Sequence, residues 1–179
     1  MLLLLMRHGI AEVLREGQSD AERALTEKGR RKTQAALQGV RAIQPEIECI
    51  ASSPKRRAFQ TAQIAAERFG KSEPEIWPEL ESVDYATFIA RLKNCGANSV
   101  LLVGHEPDFS RFVAWILTGE ESSFEMEFKK AGVCALKIDW STPTARATLL
   151  WHLAPKHLRL MAKNHSSKFS HQAKISAKR

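Results

Sequence analysis

Two unbroken apolar runs stand out along the chain, Leu2-Leu3-Leu4-Leu5-Met6 and Val100-Leu101-Leu102-Val103. Runs of this length, closed abruptly by polar residues and glycine, predict strands buried on both faces of a sheet. The first ends in Arg7-His8-Gly9 and the second in Gly104-His105, so each delivers a histidine to a strand tip. Gly9 lets the backbone turn sharply there. In open α/β sheets the C-terminal strand edge is where ligands bind.

The segments around these runs follow other periods. Residues 10–25 keep no clean period and predict a loop, with room for a short helical turn, on the ligand side. Thr26 reads as an N-cap, and Ala36, Leu37, Val40 and Ile43 form an apolar stripe before Pro45. Cys49-Ile50-Ala51-Ser52 predicts a second short strand, and Ser53-Pro54 an N-cap followed by proline at the first helical position. That helix runs to Phe69, with Phe59, Ala62, Ala66 and Phe69 on one side and Gly70 as its stop. Ile76-Trp77 is a brief strand. Residues 85–93 predict a helix with Phe88, Ile89 and Leu92 inward, and Pro107 starts another carrying Phe109, Phe112, Val113, Ile116 and Leu117. From Cys134 the period drops to two. Cys134, Leu136, Ile138 and Trp140 alternate with polar or small residues, as do Leu149, Trp151 and Leu153 after a turn at 141–144. Two such runs predict an antiparallel edge hairpin, and residues 155–161 a last helical turn. The fold class is α/β: a three-layer α/β/α sandwich around a mixed, mainly parallel sheet.

At 179 residues and 44% apolar content the chain suits one domain with a substantial core. No apolar run is long enough to span a bilayer, and the first has no signal-peptide frame around it. The net charge of +7 invites a nucleic-acid reading until its distribution is considered. Residues 163–179 hold five cations and no acid, and without them 22 basic residues face 20 acidic ones. A folded domain over residues 1–162 and a basic, disordered tail over 163–179 are therefore expected. Cys49, Cys95 and Cys134 are an odd, isolated set without CxxC spacing. They predict reduced thiols in a cytoplasmic protein, with Cys49 and Cys134 as small core residues.

The predicted strand tips gather Arg7, His8, Ser53 and His105. Arg57 lies in the first turn of the adjoining helix, where the helix dipole already favours an anion. Two histidines and two arginines make a basic pocket suited to phosphate. Motifs of other phosphate chemistries are missing. No carboxylate stands beside the histidines at metal-ligand spacing, and Lys55 occupies the position six residues after Cys49 where a cysteine phosphatase needs arginine. Neither GxxxxGKS/T nor GxSxG occurs. A histidine remains as the candidate nucleophile, with no metal and no cofactor expected.

Four segments, in order, resemble the signature of the histidine phosphatase (phosphoglycerate mutase-like) superfamily. They are Arg7-His8-Gly9 after the first strand; Leu25-Thr26-Glu27-Lys28-Gly29 with Arg23 just ahead; Ser53-Pro54-Lys55-Arg56-Arg57-Ala58-Phe59-Gln60-Thr61-Ala62; and Gly104-His105-Glu106-Pro107. Within the superfamily, the short chain and its Met6-Arg7-His8-Gly9-Ile10-Ala11-Glu12 start are most similar to the SixA-type phosphohistidine phosphatases. The resemblance implies a metal-independent phosphatase. His8 would accept the phosphoryl group, Arg7 and Arg57 would clamp its oxygens, and His105 would stabilise the same charge. Arg23 and Ser53 would line the pocket. The surrounding cations are expected to lower the His8 pKa and keep the imidazole neutral. A general acid is expected between the third and fourth motifs, where Glu79, Glu81 and Asp84 compete and Glu79 is chosen.

The expected substrate is phosphohistidine in a protein such as a phosphotransfer domain, and a small-molecule phosphomonoester is the alternative. About forty residues separate Thr61 from His105, which leaves no room for the lid that closes over small sugar phosphates in the mutases. A phosphate or sulfate in the pocket, a monomer and no membrane partner complete the expectation. A nucleic-acid module led by the basic tail is disfavoured, because the tail lacks interleaved aromatics and the body carries no nucleic-acid motif. Arg56, His152 and His157 match no motif and read as surface or packing residues, and Trp77, Trp115, Trp140 and Trp151 as core.

Overall fold

The computed structural model describes residues 1–81, 84–141 and 145–162. Its strands are β1 (Leu2–Arg7), β2 (Cys49–Ser52), β3 (Glu75–Ile76), β4 (Ser99–Gly104), β5 (Val133–Asp139) and β6 (Arg146–Leu153). They form one sheet in the order β3-β2-β4-β1-β5-β6. The four strands β3, β2, β4 and β1 run parallel, and β5 and β6 add the antiparallel edge hairpin. The two unbroken apolar runs are the central neighbours β1 and β4, paired from Leu2↔Ser99 to Arg7↔Gly104. This register carries Arg7-His8 and His105 to the same edge.

Alternate residues of each strand face opposite layers. Leu4, Met6, Leu101 and Val103 pack under α1 (Glu27–Ile43), α2 (Arg56–Phe69) and the helical residues 155–162, which supply Leu37, Val40, Ala62 and Leu158. Leu3, Leu5, Val100 and Leu102 pack on the other side under α3 (Tyr85–Asn94) and α4 (Asp108–Thr118), which supply Phe88, Leu92, Phe109 and Phe112. We label the 155–162 helix α5. Three layers result, as the periodicities require.

Two glycines are demanded by close approach. A Cβ on Gly29 would run into the carbonyl of Ile10, and one on Gly39 into the backbone of Leu158. The first presses the start of α1 against the loop that follows His8; the second lets α1 meet α5. Thr26 caps α1 as expected, its Oγ1 accepting the Gly29 N–H at 2.9 Å.

Several expectations need correction. Ser53 does not cap a helix: α2 begins at Arg56 with Lys55 at its N-cap, and the Ser53 hydroxyl turns across the sheet instead. Of the stripe read for α2, Ala62 and Ala66 are in the core with Ala58 and Ala65, and Phe69 packs against it, but Phe59 is half-buried and outside the cluster. Pro107 is the N-cap of α4, not its first residue. Trp77 leaves the short β3 and is fully buried. In β6 the alternation breaks, because a register shift pairs Ala135 with Trp151 but Leu136 with Leu149. Leu149 and Leu150 are consequently 42% and 47% exposed on the edge strand. Most of the 141–144 turn and all of the 163–179 tail lie outside the described residues.

The three cysteines are free, and burial pushes the Cys49 and Cys134 thiols up to about 12, so neither offers a thiolate at neutral pH. Among the described residues no helix is long and apolar enough to cross a membrane.

Candidate active site

Because β1, β4 and β2 are adjacent and parallel, their tips bring His8, His105 and Ser53 together. The ring centroids of His8 and His105 lie 5.2 Å apart. Both histidines and Arg57 are buried, at 7%, 5% and 6% exposure. Burying polar groups here costs stability unless each finds a partner, so the partners define what the site is prepared to do.

His8 is oriented by the residue that follows it. Its Nδ1 lies 2.7 Å from the Gly9 carbonyl oxygen. A carbonyl can only accept, so Nδ1 carries the ring proton and Nε2 keeps its lone pair. Arg57 Nε donates to that Nε2 at 3.2 Å. The Gly9 N–H donates to Thr61 Oγ1 at 3.0 Å, and the Thr61 hydroxyl donates to the Arg57 carbonyl at 2.8 Å. The turn after β1 is thereby tied to the first turns of α2.

Burial is the leading cause that lowers the His8 pKa to about 4; the Gly9 hydrogen bond opposes it, and Arg57, Arg7 and Lys130 add to the lowering. His105 falls to about 3, again mainly through burial, then through His8, Arg57 and Lys55, with Asp20 opposing. The expected cationic effect is present, but desolvation outweighs it. Both rings are neutral near pH 7.

Ser53 Oγ lies 2.6 Å from His105 Nε2. With the hydroxyl donating, the proton of the neutral ring sits on Nδ1, which is buried without a partner among the described residues. With the hydroxyl accepting from Nε2 instead, the lone pair sits on Nδ1. Arg7 donates NH1 to the Phe128 carbonyl at 2.6 Å, and its buried Nε likewise has no partner among the described residues.

The sequence reading missed Asp20. Arg57 donates NH1 to the Asp20 carbonyl at 2.6 Å and NH2 to Asp20 Oδ2 at 2.9 Å. Arg23 donates NH1 to Asp20 Oδ1 at 2.8 Å, and Lys55 Nζ stands 3.9 Å from Oδ2. Hydrogen bonds from Arg23 and Arg57 draw the Asp20 carboxyl down to about 2. Arg23 thus joins the site through Asp20. A signal for this turn existed: Ser19 and Glu22 form a capping box around the short 3-10 helix Asp20–Glu22 that presents Asp20.

The carboxylates expected as acids are dispersed. Glu79 sits in the 3-10 turn Pro78–Leu80 after the edge strand β3. Among the described residues it has no hydrogen bond or ion pair to Arg7, His8, Arg57 or His105, and its Oε2 is buried without a partner. Glu81 is exposed. Asp84 caps α3, accepting from the Ala86 and Thr87 N–H groups. Two other acids, missed in the sequence, flank Pro107 directly after His105. Burial raises the carboxyl pKa of Glu106 and of Asp108; a hydrogen bond from Ser110 and then Arg7 oppose the rise at the first, and Lys55 at the second. Glu106 Oε1 is buried and unpartnered among the described residues. No three His, Cys, Asp or Glu side chains gather to hold a metal ion among the described residues. What the pocket can do chemically is seat a tetrahedral anion among guanidinium and imidazole donors, beside one neutral imidazole lone pair.

The chain is similar to known proteins in sequence and in fold. The model of the histidine phosphatase superfamily (branch 1) matches residues 3–91. An uncharacterized protein of Picosynechococcus is 32% identical over 141 residues, covering 76% of this chain and 85% of the relative. The phosphohistidine phosphatase SixA of Escherichia coli is 27% identical over 165 residues, 89% of this chain and 98% of its own. A solved structure of the protein histidine phosphatase SixA complexed with tungstate superimposes with a TM-score of 0.75 at 28% identity, over 88% of this chain and 99% of that one. A mycobacterial glucosyl-3-phosphoglycerate phosphatase, solved with inorganic phosphate, shares the fold with a TM-score of 0.67 at 18% identity, over 87% of this chain and 98% of that one.

Proposed function

We propose, since this chain belongs to the histidine phosphatase superfamily and is a phosphatase of its SixA type, that it removes the phosphoryl group from phosphohistidine in a protein, by way of a phosphoenzyme on His8. The observation that carries this proposal is the fixed tautomer of His8: a proton on Nδ1 held by Gly9, and a lone pair on Nε2 beside Arg57. Attack by Nε2 on phosphorus forms the N–P bond of the enzyme and breaks that of the substrate. The substrate imidazole, protonated on its other nitrogen, departs as a neutral ring. Water then attacks the phosphorylated His8, the Nε2–P bond breaks, inorganic phosphate leaves, and the proton lost by water passes to phosphate or solvent. Through both steps the Nδ1–H bond to Gly9 supports the positive charge that develops on the ring.

Phosphoryl transfer asks mainly for positioning and charge neutralisation. Arg7 Nε, the Arg57 fork and His105 Nδ1 supply donors for the phosphoryl oxygens, while Ser53 orients His105 and Arg23 acts through Asp20. Tungstate and phosphate bound to the related structures support an anion in this pocket. The chain acts as a cytoplasmic monomer on a phosphotransfer domain and needs neither metal nor cofactor.

A second reading, a small-molecule phosphomonoester phosphatase, is favoured by Glu106. A half-buried carboxyl with a raised pKa next to His105 is suited to carry a proton to a poor alkoxide leaving group. The two separate on leaving-group chemistry. Turnover of a phosphorylated phosphotransfer domain should exceed that of a panel of phosphate esters. Glu106→Gln or Glu79→Gln should slow any ester hydrolysis by about 10²–10⁴-fold if that residue is the acid, and hardly affect phosphohistidine. An equal, large loss on both substrates would favour the ester phosphatase.

A further inference from the structure

A cavity of about 720 Å³ opens from Arg7 and continues away from the histidines. Lys32 of α1, Lys130 of the segment before β5, and Lys156 and Arg159 of α5 line it together with Arg7. Its one acid, Glu127, is engaged by Lys129 at 2.5 Å. Among the described residues none of Lys32, Lys130, Lys156 and Arg159 is ion-paired to a carboxylate. Like charges facing one cavity repel, and such a surface is maintained against that cost where an anion is received. Lys130 feels the crowding: burial lowers its pKa, and Arg7, Arg23 and Arg57 of the neighbouring pocket lower it further.

The chemistry of the walls narrows the occupant. Four separate parts of the chain, β1, α1, the segment before β5 and α5, carry the cations, so the charge is spread more widely than one phosphate needs. Ile10, Ala154 and Pro155 give aliphatic wall between them, and His157 is the single aromatic side chain, too little to sandwich a nucleobase between two rings. We infer that this cleft seats an acidic segment of the protein substrate, next to the phosphorylated histidine that enters the pocket. The inference rests on the proposed phosphohistidine activity and adds how the protein carrying that residue is chosen.

The test uses the full chain and two phosphohistidine dodecapeptides, one with four glutamates beside the phosphorylated residue and one with glutamines instead. Wild type should prefer the glutamate peptide in kcat/KM by about tenfold or more at low ionic strength, with the preference shrinking as salt is added. The triple variant Lys32→Glu, Lys156→Glu, Arg159→Glu should lose the preference through KM while hydrolysing phosphoramidate at the wild-type rate, which also shows that it folds. Equal wild-type rates on the two peptides, or a preference that survives the charge reversal, would overturn the inference. So would stronger competition by a nucleoside triphosphate than by the unphosphorylated glutamate peptide. Cleavage of neither peptide by wild type would refute the phosphohistidine activity instead. Fluorescence anisotropy with the labelled, unphosphorylated glutamate peptide still reads the cleft in that case: binding lost in the triple variant supports it, and no binding to wild type overturns it.

Discussion

Strands β1 and β4 each contain two regions that differ more than any two elements of the sheet. In their centres, Leu3 to Met6 and Val100 to Val103 are completely buried and wholly apolar. At their tips, His8 and His105 are nearly as enclosed and Arg7 is half-buried, yet they carry polar atoms, of which Arg7 Nε and His105 Nδ1 are buried without a partner among the described residues. The centres gain stability by leaving water. The tips give some of it up, because unpartnered buried donors cost free energy until a ligand satisfies them. Core and candidate site are thus carried by the same strands, a few residues apart.

That separation can be broken by substitution. His8→Ala should abolish phosphatase activity, by roughly 10⁴-fold or more as for loss of a nucleophile elsewhere, with little change in thermal stability. Leu101→Ala, four residues before His105, should do the reverse: a loss of about 2–5 kcal/mol in denaturant unfolding, with the remaining folded protein still active. Activity retained in the first variant, or unchanged unfolding in the second, would erase the distinction.

Smaller effects sharpen it. Arg57→Lys keeps a cation but loses the fork that meets His8 and Asp20 at once, and should lower kcat/KM by about 10²–10³-fold. Asp20→Asn should cost about tenfold by loosening Arg57, a positioning effect. A gain in activity there would show that Asp20 competes with phosphate rather than aligning its receptor.

The response to pH is the mildest. His8 titrates at about 4 in the folded protein, below its ordinary 6.5, so the neutral ring persists as pH falls until about 4 and activity should decline only as pH drops through that value. Stability carries the same sign. The unfolded chain binds protons that folded His8 and His105 refuse, so the contribution is complete above pH 6.5 and is lost as pH falls from there toward 4 and 3. Rate and unfolding profiles measured side by side from pH 8 to 3 check both.

How much of this was legible in the sequence follows the range of each interaction. The strand centres, the Thr26 cap and the inward faces of α1, α3 and α4 were readable, because each is written in residues a few positions apart. That Arg7, His8, Arg57 and His105 gather at one sheet edge was legible through motif and strand-tip position. Ser53-Pro54 reads locally as a helix start; only the neighbouring tip of β4 supplies the imidazole that redirects the hydroxyl. Asp20 and Arg57 are 37 residues apart, and no local pattern joins them. Glu106 and Asp108 stand in plain view beside Pro107, yet what raises their pKa is burial, which no spacing reveals. In β6 a single extra residue re-aims Leu149 and Leu150, and alternation alone cannot register it.

The central claim is that His8 Nε2 receives the phosphoryl group. Rapid quench of the protein with a phosphohistidine donor, followed by mass spectrometry under mildly alkaline conditions, tests it most directly. One phosphoryl group on His8, lost in acid and absent from His8→Ala, is the result predicted. Phosphate release by the wild type with no adduct on His8, or with an adduct on another residue, would contradict it.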